Sequence, residues 1–199
     1  FAYYVFQSLY LWKFDFWRQG FISDGRVWSW YDTKVGITSR NIQETLKFGG
    51  GSLMIWGCFQ GEKLGILRKV NGIMKSDQYI DILRDSYLPS LEIFGCEPGD
   101  TIFMQDNDPK HKAKVTMKWL QEQNIKCLDW PPQSPDLNPI ENLWNILKKK
   151  IIMRTPVPQN LEELWAVTNE EWSKIDKSIL RNLINSIPKR LKLVIKAKG

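Results

Sequence analysis

Histidine is almost missing from this chain: His111 is the only one in 199 residues. A serine–histidine site would have to use that one residue, and a zinc site built on several histidines is excluded. Cysteine is scarce too. Cys58, Cys96 and Cys127 are odd in number, far apart and without CxxC spacing, so neither a disulfide framework nor a zinc cluster is indicated, and all three read as small buried hydrophobes in a reducing compartment. No run reaches the roughly 18 apolar residues needed to span a membrane, and the N-terminus has neither a charged n-region nor a small-residue cleavage site. An intracellular protein with no membrane partner is the expectation. Acidic residues are in the minority, 22 against 28 Lys and Arg, for a net charge of +6. Such a balance suits a polyanionic partner without proving one. The chain opens on Phe1 and stops at Gly199 without a recognisable tail, which reads as a piece of a longer protein.

What is present is one domain's worth of alternating elements. A strand over 9–14 ends at Asp15. The Ser23-Asp24-Gly25-Arg26 turn leads into 27–31, the expected hairpin partner of that strand. Residues 32–51 read as an inserted arm ending in Gly49-Gly50-Gly51, a triplet that lacks the Gly-Lys-Ser/Thr of a phosphate loop and precedes a strand. A buried strand over 52–60 and another over 64–70 complete an antiparallel meander. Ser76 can cap a helix that Pro89 closes. Next come a central strand over 101–105, a helix over 112–124 with Val115, Trp119 and Leu120 inward, a short strand over 125–128 and a rigid loop over 131–139. A helix over 140–152 carries Leu143, Trp144 and Leu147 on its apolar face, with Lys148, Lys149 and Lys150 in its last turn, where positive charge suits the helix dipole. Two terminal helices, 161–173 and 178–186, and a basic tail over 189–198 close the chain. Three antiparallel strands followed by helix, strand, helix, strand, helix predict an α/β layered domain with a mixed five-stranded sheet.

The chemistry lies in the carboxylates. Asp106 ends the apolar 101–105 strand, and Glu141 opens the helix after the proline-rich loop, with 34 residues between them. Mg²⁺ takes hard oxygen ligands, one or two of them protein carboxylates, and a pair of ions about 3.5–4 Å apart stabilises both the attacking and the leaving oxygen in phosphoryl transfer. Such a site needs about three acids converging from separate elements. Asp15, at the end of the first strand, is the candidate third, with Asp24 its rival.

Asp106-Asn107-Asp108-Pro109-Lys110-His111, the Trp130-Pro131 step, Ser134-Pro135-Asp136-Leu137-Asn138-Pro139-Ile140-Glu141 and Leu143-Trp144 together resemble the catalytic core of mariner-type DNA transposases. Gly49-Gly50-Gly51-Ser52-Leu53-Met54-Ile55-Trp56-Gly57-Cys58, Gly72-Ile73-Met74 and Ile187-Pro188-Lys189-Arg190 extend the resemblance over about residues 9–199. It implies a ribonuclease H-like fold and an Asp, Asp, Glu triad holding two Mg²⁺ or Mn²⁺ ions. It also implies cleavage of double-stranded DNA at transposon ends and strand transfer into a TA target, in the nucleus, by a homodimer. The expectation on this resemblance is a single catalytic domain over 1–199 (core about 9–152, C-terminal helices about 160–187), with the N-terminal region that reads transposon ends outside this chain. On this resemblance Asp106 and Glu141 are the second and third acids and both are metal ligands. Asp15, 91 positions before Asp106, is the first, although Phe14 and Phe16 flank it where the family shows Ser-Asp-Glu.

Asn107, Lys110, His111 and Asn142 are candidate contacts to DNA or to the ligands; as a solvated lysine, surface amides and a helix-start histidine they also have ordinary readings. Lys148, Lys149, Lys150 and the basic tail are candidate phosphate contacts whose affinity would fall with salt. Two rival readings stand beside the enzyme: a domesticated or decayed DNA-binding derivative without catalysis, and an RNA-cleaving nuclease of the same fold.

Overall fold

The computed structural model describes residues 4–14, 51–131 and 134–197. The expected hairpin partner 27–31, the arm over 32–48 and Asp15 lie outside the described residues. Strand β1 (Tyr4–Phe14) starts five residues earlier than its apolar pattern shows and pairs antiparallel with β2 (Gly51–Gln60). Two short segments, β3 (Lys63–Leu64) and β4 (Arg68–Val70), share the far edge of β2. The other edge of β1 takes β5 (Ile102–Met104) in parallel, and β5 takes β6 (Lys126–Cys127) in parallel. Six segments thus fill five positions, β3/β4–β2–β1–β5–β6, antiparallel on one side of β1 and parallel on the other, as expected.

The return from β4 to β5 needs a crossover, because parallel strands cannot be joined by a tight turn. It is supplied by α1 (Ser76–Ile82), a π turn over Leu83–Tyr87 and α2 (Leu88–Phe94), which run on without a break. Two expectations fail here. Lys75, not Ser76, holds the N-cap position, and no side chain caps the helix. Pro89 does not end it: a proline has no N–H for the carbonyl four residues back, and the wider π turn, where the Leu88 N–H donates to the Leu83 carbonyl, lets the helix continue. It stops at Gly95, whose φ of 75° is the left-handed conformation glycine adopts without strain.

Helix α3 (Lys114–Glu122) covers the same face as α1. It buries Thr116 and Leu120, while Val115, expected inward, is 53% exposed, because the buried stripe runs through Thr116, one residue further round the helix. Val5, Trp56, Cys58 and Phe103 meet these helices across one face of the sheet. The opposite face carries α4 (Pro139–Ile152), α5 (Leu161–Ser173) and α6 (Lys177–Asn185), packed on Phe6, Leu53, Ile55, Phe59 and Met104. Alternation along each strand sorts the two sets, since successive residues point to opposite faces. The expected basic tail is instead helix α7 (Ile187–Ala197), anchored by the buried Ile187 and by Arg190, which donates to the Ser186 hydroxyl and to the Asp136 carbonyl.

Gly57 sets how closely α4 approaches the sheet. A Cβ there would lie 2.7 Å from Trp144 Cη2, 3.1 Å from Leu67 and 3.2 Å from Trp172. Trp144 stacks on Trp172 with ring centroids 5.2 Å apart, and the Trp172 indole N–H donates to the Gly65 carbonyl at 3.0 Å. The rings have no room to retreat, so Gly57→Ala should destabilise the fold by about 1–3 kcal/mol, the usual cost of overpacking. Its urea midpoint should fall at an unchanged slope.

Candidate metal centre

Asp106 lies two residues beyond the end of β5, in a loop closed by its own side chains. Asp106 Oδ1 accepts from the Asp108 backbone N–H at 3.2 Å and bonds His111 Nδ1 at 2.6 Å. The Asp108 carboxylate in turn accepts from the Lys110 backbone and pairs with the Lys110 ammonium. Asn107 donates to the Trp130 carbonyl at 2.7 Å and so pins the loop to the segment that follows β6. Lys110 and Asn107 thus both bond protein groups around Asp106.

His111 is 2% exposed, whereas the Asp106 side chain is 62% exposed. The imidazole ring packs on Tyr79 of α1 at a centroid distance of 4.1 Å. Tyr79 donates its hydroxyl to Gln105 Oε1 at 2.8 Å, and the Gln105 amide donates to the His111 carbonyl at 3.4 Å. Histidine and its two supports thus fix one side of the Asp106 carboxylate and leave Oδ2 outside both bonds. The sequence read His111 as no more than one of two even alternatives, because its burial comes from α1, far away in the chain. Tyr79 and Gln105, which sequence reading missed, are an ordinary helix tyrosine and strand glutamine by pattern alone. The hydrogen bond from His111 holds the Asp106 carboxyl below the usual carboxylate range, against a smaller upward push from burial.

Glu141 sits in the first turn of α4, half-buried, where a carboxylate suits the helix dipole. Asn138 caps that helix through its side chain, and the Glu141 N–H donates to the Asn138 carbonyl at 3.2 Å. Ile140 and Met104 share one core cluster with Phe6. Glu141 follows the first of these in the helix packed on that cluster, and Asp106 follows the second by two residues, beyond the end of β5. Asn142 is half-buried on α4. Asp15 lies outside the described residues, and among the described residues no group of three or more His, Cys, Asp or Glu is placed to hold an ion. The hard oxygens of Asp106 and Glu141 suit a divalent cation such as Mg²⁺ or Mn²⁺, but a pair of ions needs a further carboxylate.

A model of the DDE superfamily endonuclease family matches residues 49–164. The Tcb2 transposase of Caenorhabditis briggsae is 38% identical over 156 residues, 78% of this chain and 56% of that protein. The Tc1 transposase of Caenorhabditis elegans is 37% identical over 182 residues, 90% of this chain and 64% of that protein. The chain therefore spans less than two thirds of the length of these relatives. Among solved structures, a Mos1 transposase paired-end complex with the left transposon end superposes with a TM-score of 0.76 at 16% identity, over all of this chain and 56% of that one. The catalytic domain of Mos1 mariner transposase gives 0.61 at 17% identity, over 71% of each chain. The fold they share with this chain is ribonuclease H-like.

In metal-free protein, His111→Ala should raise the Asp106 carboxyl towards its ordinary range, read by carbon-detected NMR titration. The sign follows from the depressed value. The His111–Asp106 contribution to stability is present above the unfolded carboxyl pKa, near 3.9, and is lost as pH falls through the lower folded value. The difference in stability between wild type and variant should therefore narrow in acid without vanishing, because the packing of the His111 ring on Tyr79 is lost at every pH.

Proposed function

The chain belongs to the DDE superfamily endonuclease family, on its Tc1/mariner transposase branch, and we propose that it acts as the catalytic domain of such a transposase. Its reaction is metal-dependent cleavage of double-stranded DNA at transposon ends, followed by strand transfer into a TA target. What supports this reading is that Asp106 follows the end of β5 by two residues and Glu141 opens α4, the helix packed against the same core as Met104 of β5. Two ions, Mg²⁺ or Mn²⁺, a nuclear location and a homodimer of the full-length protein holding two ends complete the reading. Crystals of Mos1 paired-end complexes with Mg and with Mn support the choice of metal.

When bound, the cations supply Lewis-acid charge at the attacking and leaving oxygens of a phosphodiester, with water or a 3′-hydroxyl as nucleophile and no covalent enzyme intermediate. The chain's own part is to hold the ligands still. His111 fixes the rotation of the Asp106 carboxylate, and the Asn138 cap together with the packing of α4 fixes Glu141. Lys148, Lys149 and Lys150 at the end of α4, with Lys189, Lys192 and Lys196 on α7, offer phosphate contacts.

A second reading, a DNA-binding derivative without catalysis, is favoured by one observation: the eleven residues of β1 include no acid. Nicking of transposon-end DNA by the full-length protein in Mg²⁺ or Mn²⁺ tests both. Asp106→Ala and Glu141→Ala should each lower it by roughly 100-fold or more, the several kcal/mol that bound metal contributes to the transition state. Undiminished nicking in either variant would sink the assignment. Mn²⁺ uptake measured by calorimetry, lost in Asp106→Ala, reads the same pair independently of turnover.

A further inference from the structure

The pairing of β1 with β5 determines which residue of β1 lies beside Asp106. Tyr4, Val5 and Phe6 stand opposite Ile102, Phe103 and Met104 in parallel register. The last pair is Phe6 with Met104, where β5 ends; continued two residues along both chains, that register would bring position 8 level with Asp106. The antiparallel edge of β1 gives the face. Ser8 is the register partner of Gly57, and a Cβ on Gly57 would meet Trp144 of α4 at 2.7 Å. Directly opposed residues of an antiparallel pair lie on the same face of the sheet, so position 8 is on the face that α4 covers. Trp144 is three residues along that helix from Glu141, less than one turn. Positions 8, 106 and 141 therefore come from three separate elements to one end of one layer.

We infer that position 8 of β1 is the third carboxylate position of this site, and that the serine there leaves the chain one ligand short of a two-ion centre. Nothing else in β1 replaces it, since Tyr4–Phe14 contains no Asp or Glu. At Phe14 the strand has already run six residues past the level of Asp106, about 20 Å at roughly 3.3 Å per residue. Asp15 follows Phe14 in the sequence and lies outside the described residues. Ions about 4 Å apart need ligands that share them, so the register favours position 8 over any residue beyond the end of the strand. A neutral serine hydroxyl brings none of the charge with which a carboxylate binds Mg²⁺. The chain keeps its fold, its Asp106 and Glu141 pair and its basic helices, and lacks the charge that would hold the second ion.

This inference rests on the metal-binding reading of Asp106 and Glu141, and the experiment separates the two. Mn²⁺ is titrated calorimetrically into the full-length protein, with nicking followed in parallel. Ser8→Asp should bind one more Mn²⁺ than wild type and raise metal-dependent nicking by roughly 100-fold. Asp15→Asn should leave the number of bound ions unchanged. A Ser8→Asp protein that melts cooperatively yet takes up no additional ion overturns the inference. So does loss of an ion in Asp15→Asn, an arm that remains decisive where Ser8→Asp does not fold. Uptake that is indifferent to Asp106→Ala refutes the site itself, whereas uptake that depends on both Asp106 and Asp15 refutes only the assignment of position 8.

Discussion

Helix α4 can reach the sheet only because position 57 has no side chain. Trp144 occupies the space a Cβ would take, Trp172 stacks behind it, and the Trp172 indole is tied to the Gly65 carbonyl. Burying two indoles, each with 150–250 Å² of surface, is worth several kcal/mol at about 25 cal/mol per Å². The Asn138 cap is worth about 1 kcal/mol. Packing thus decides where α4 lies along the sheet, and the cap settles only how its first turn begins. Glu141, three residues before Trp144, inherits its position from an apolar contact.

Asp106 is held in the opposite manner. Its Oδ1 is fixed by His111 and by the Asp108 N–H, and His111 is fixed in turn by Tyr79 and Gln105. Buried polar groups of this kind carry a penalty when a partner is missing, and His111 Nε2 is buried with no hydrogen-bond partner among the described residues. A bond between a carboxylate and a histidine is stronger than a neutral one, about 1.5–3 kcal/mol against about 1, which offsets that penalty. One acid therefore depends on shape and the other on hydrogen bonding. A change in α1 at Tyr79 would disturb Asp106 while leaving Glu141 in place.

How much of this was legible in the sequence differs by element. Helix α5 and the core of β2 followed from periodicity and apolar runs. Asp106 and Glu141 followed from punctuation, an apolar strand stopping at an acid and a proline-rich loop opening a helix. Pro89 was misread because a proline closes a regular helix but not one that widens into a π turn. The stretch 189–197 reads as a basic tail in the sequence because its charge density hides the two contacts, at Ile187 and Arg190, that anchor it as a helix. Asp15 was chosen by its distance along the chain from Asp106. Which residues of β1 lie beside Asp106 is decided instead by pairing with β5, a tertiary choice that no interval records, and sliding that register by one residue would exchange the faces of the whole strand.

With position 8 as the third carboxylate position, the register also accounts for a fold that does not depend on that ligand. Three carboxylates brought to one end of a layer repel one another without a cation between them, and a partly buried charge among them carries a desolvation cost as well. A serine at position 8 removes one charge from that cluster and leaves the pairing of β1 with β2 and β5 untouched. Stability and chemistry make opposite demands at such a position, because a charge that serves to bind a cation adds repulsion to the folded chain when no cation is bound. The same reasoning predicts the reverse for Gly57 and Tyr79, where a substitution would damage the fold and the site together.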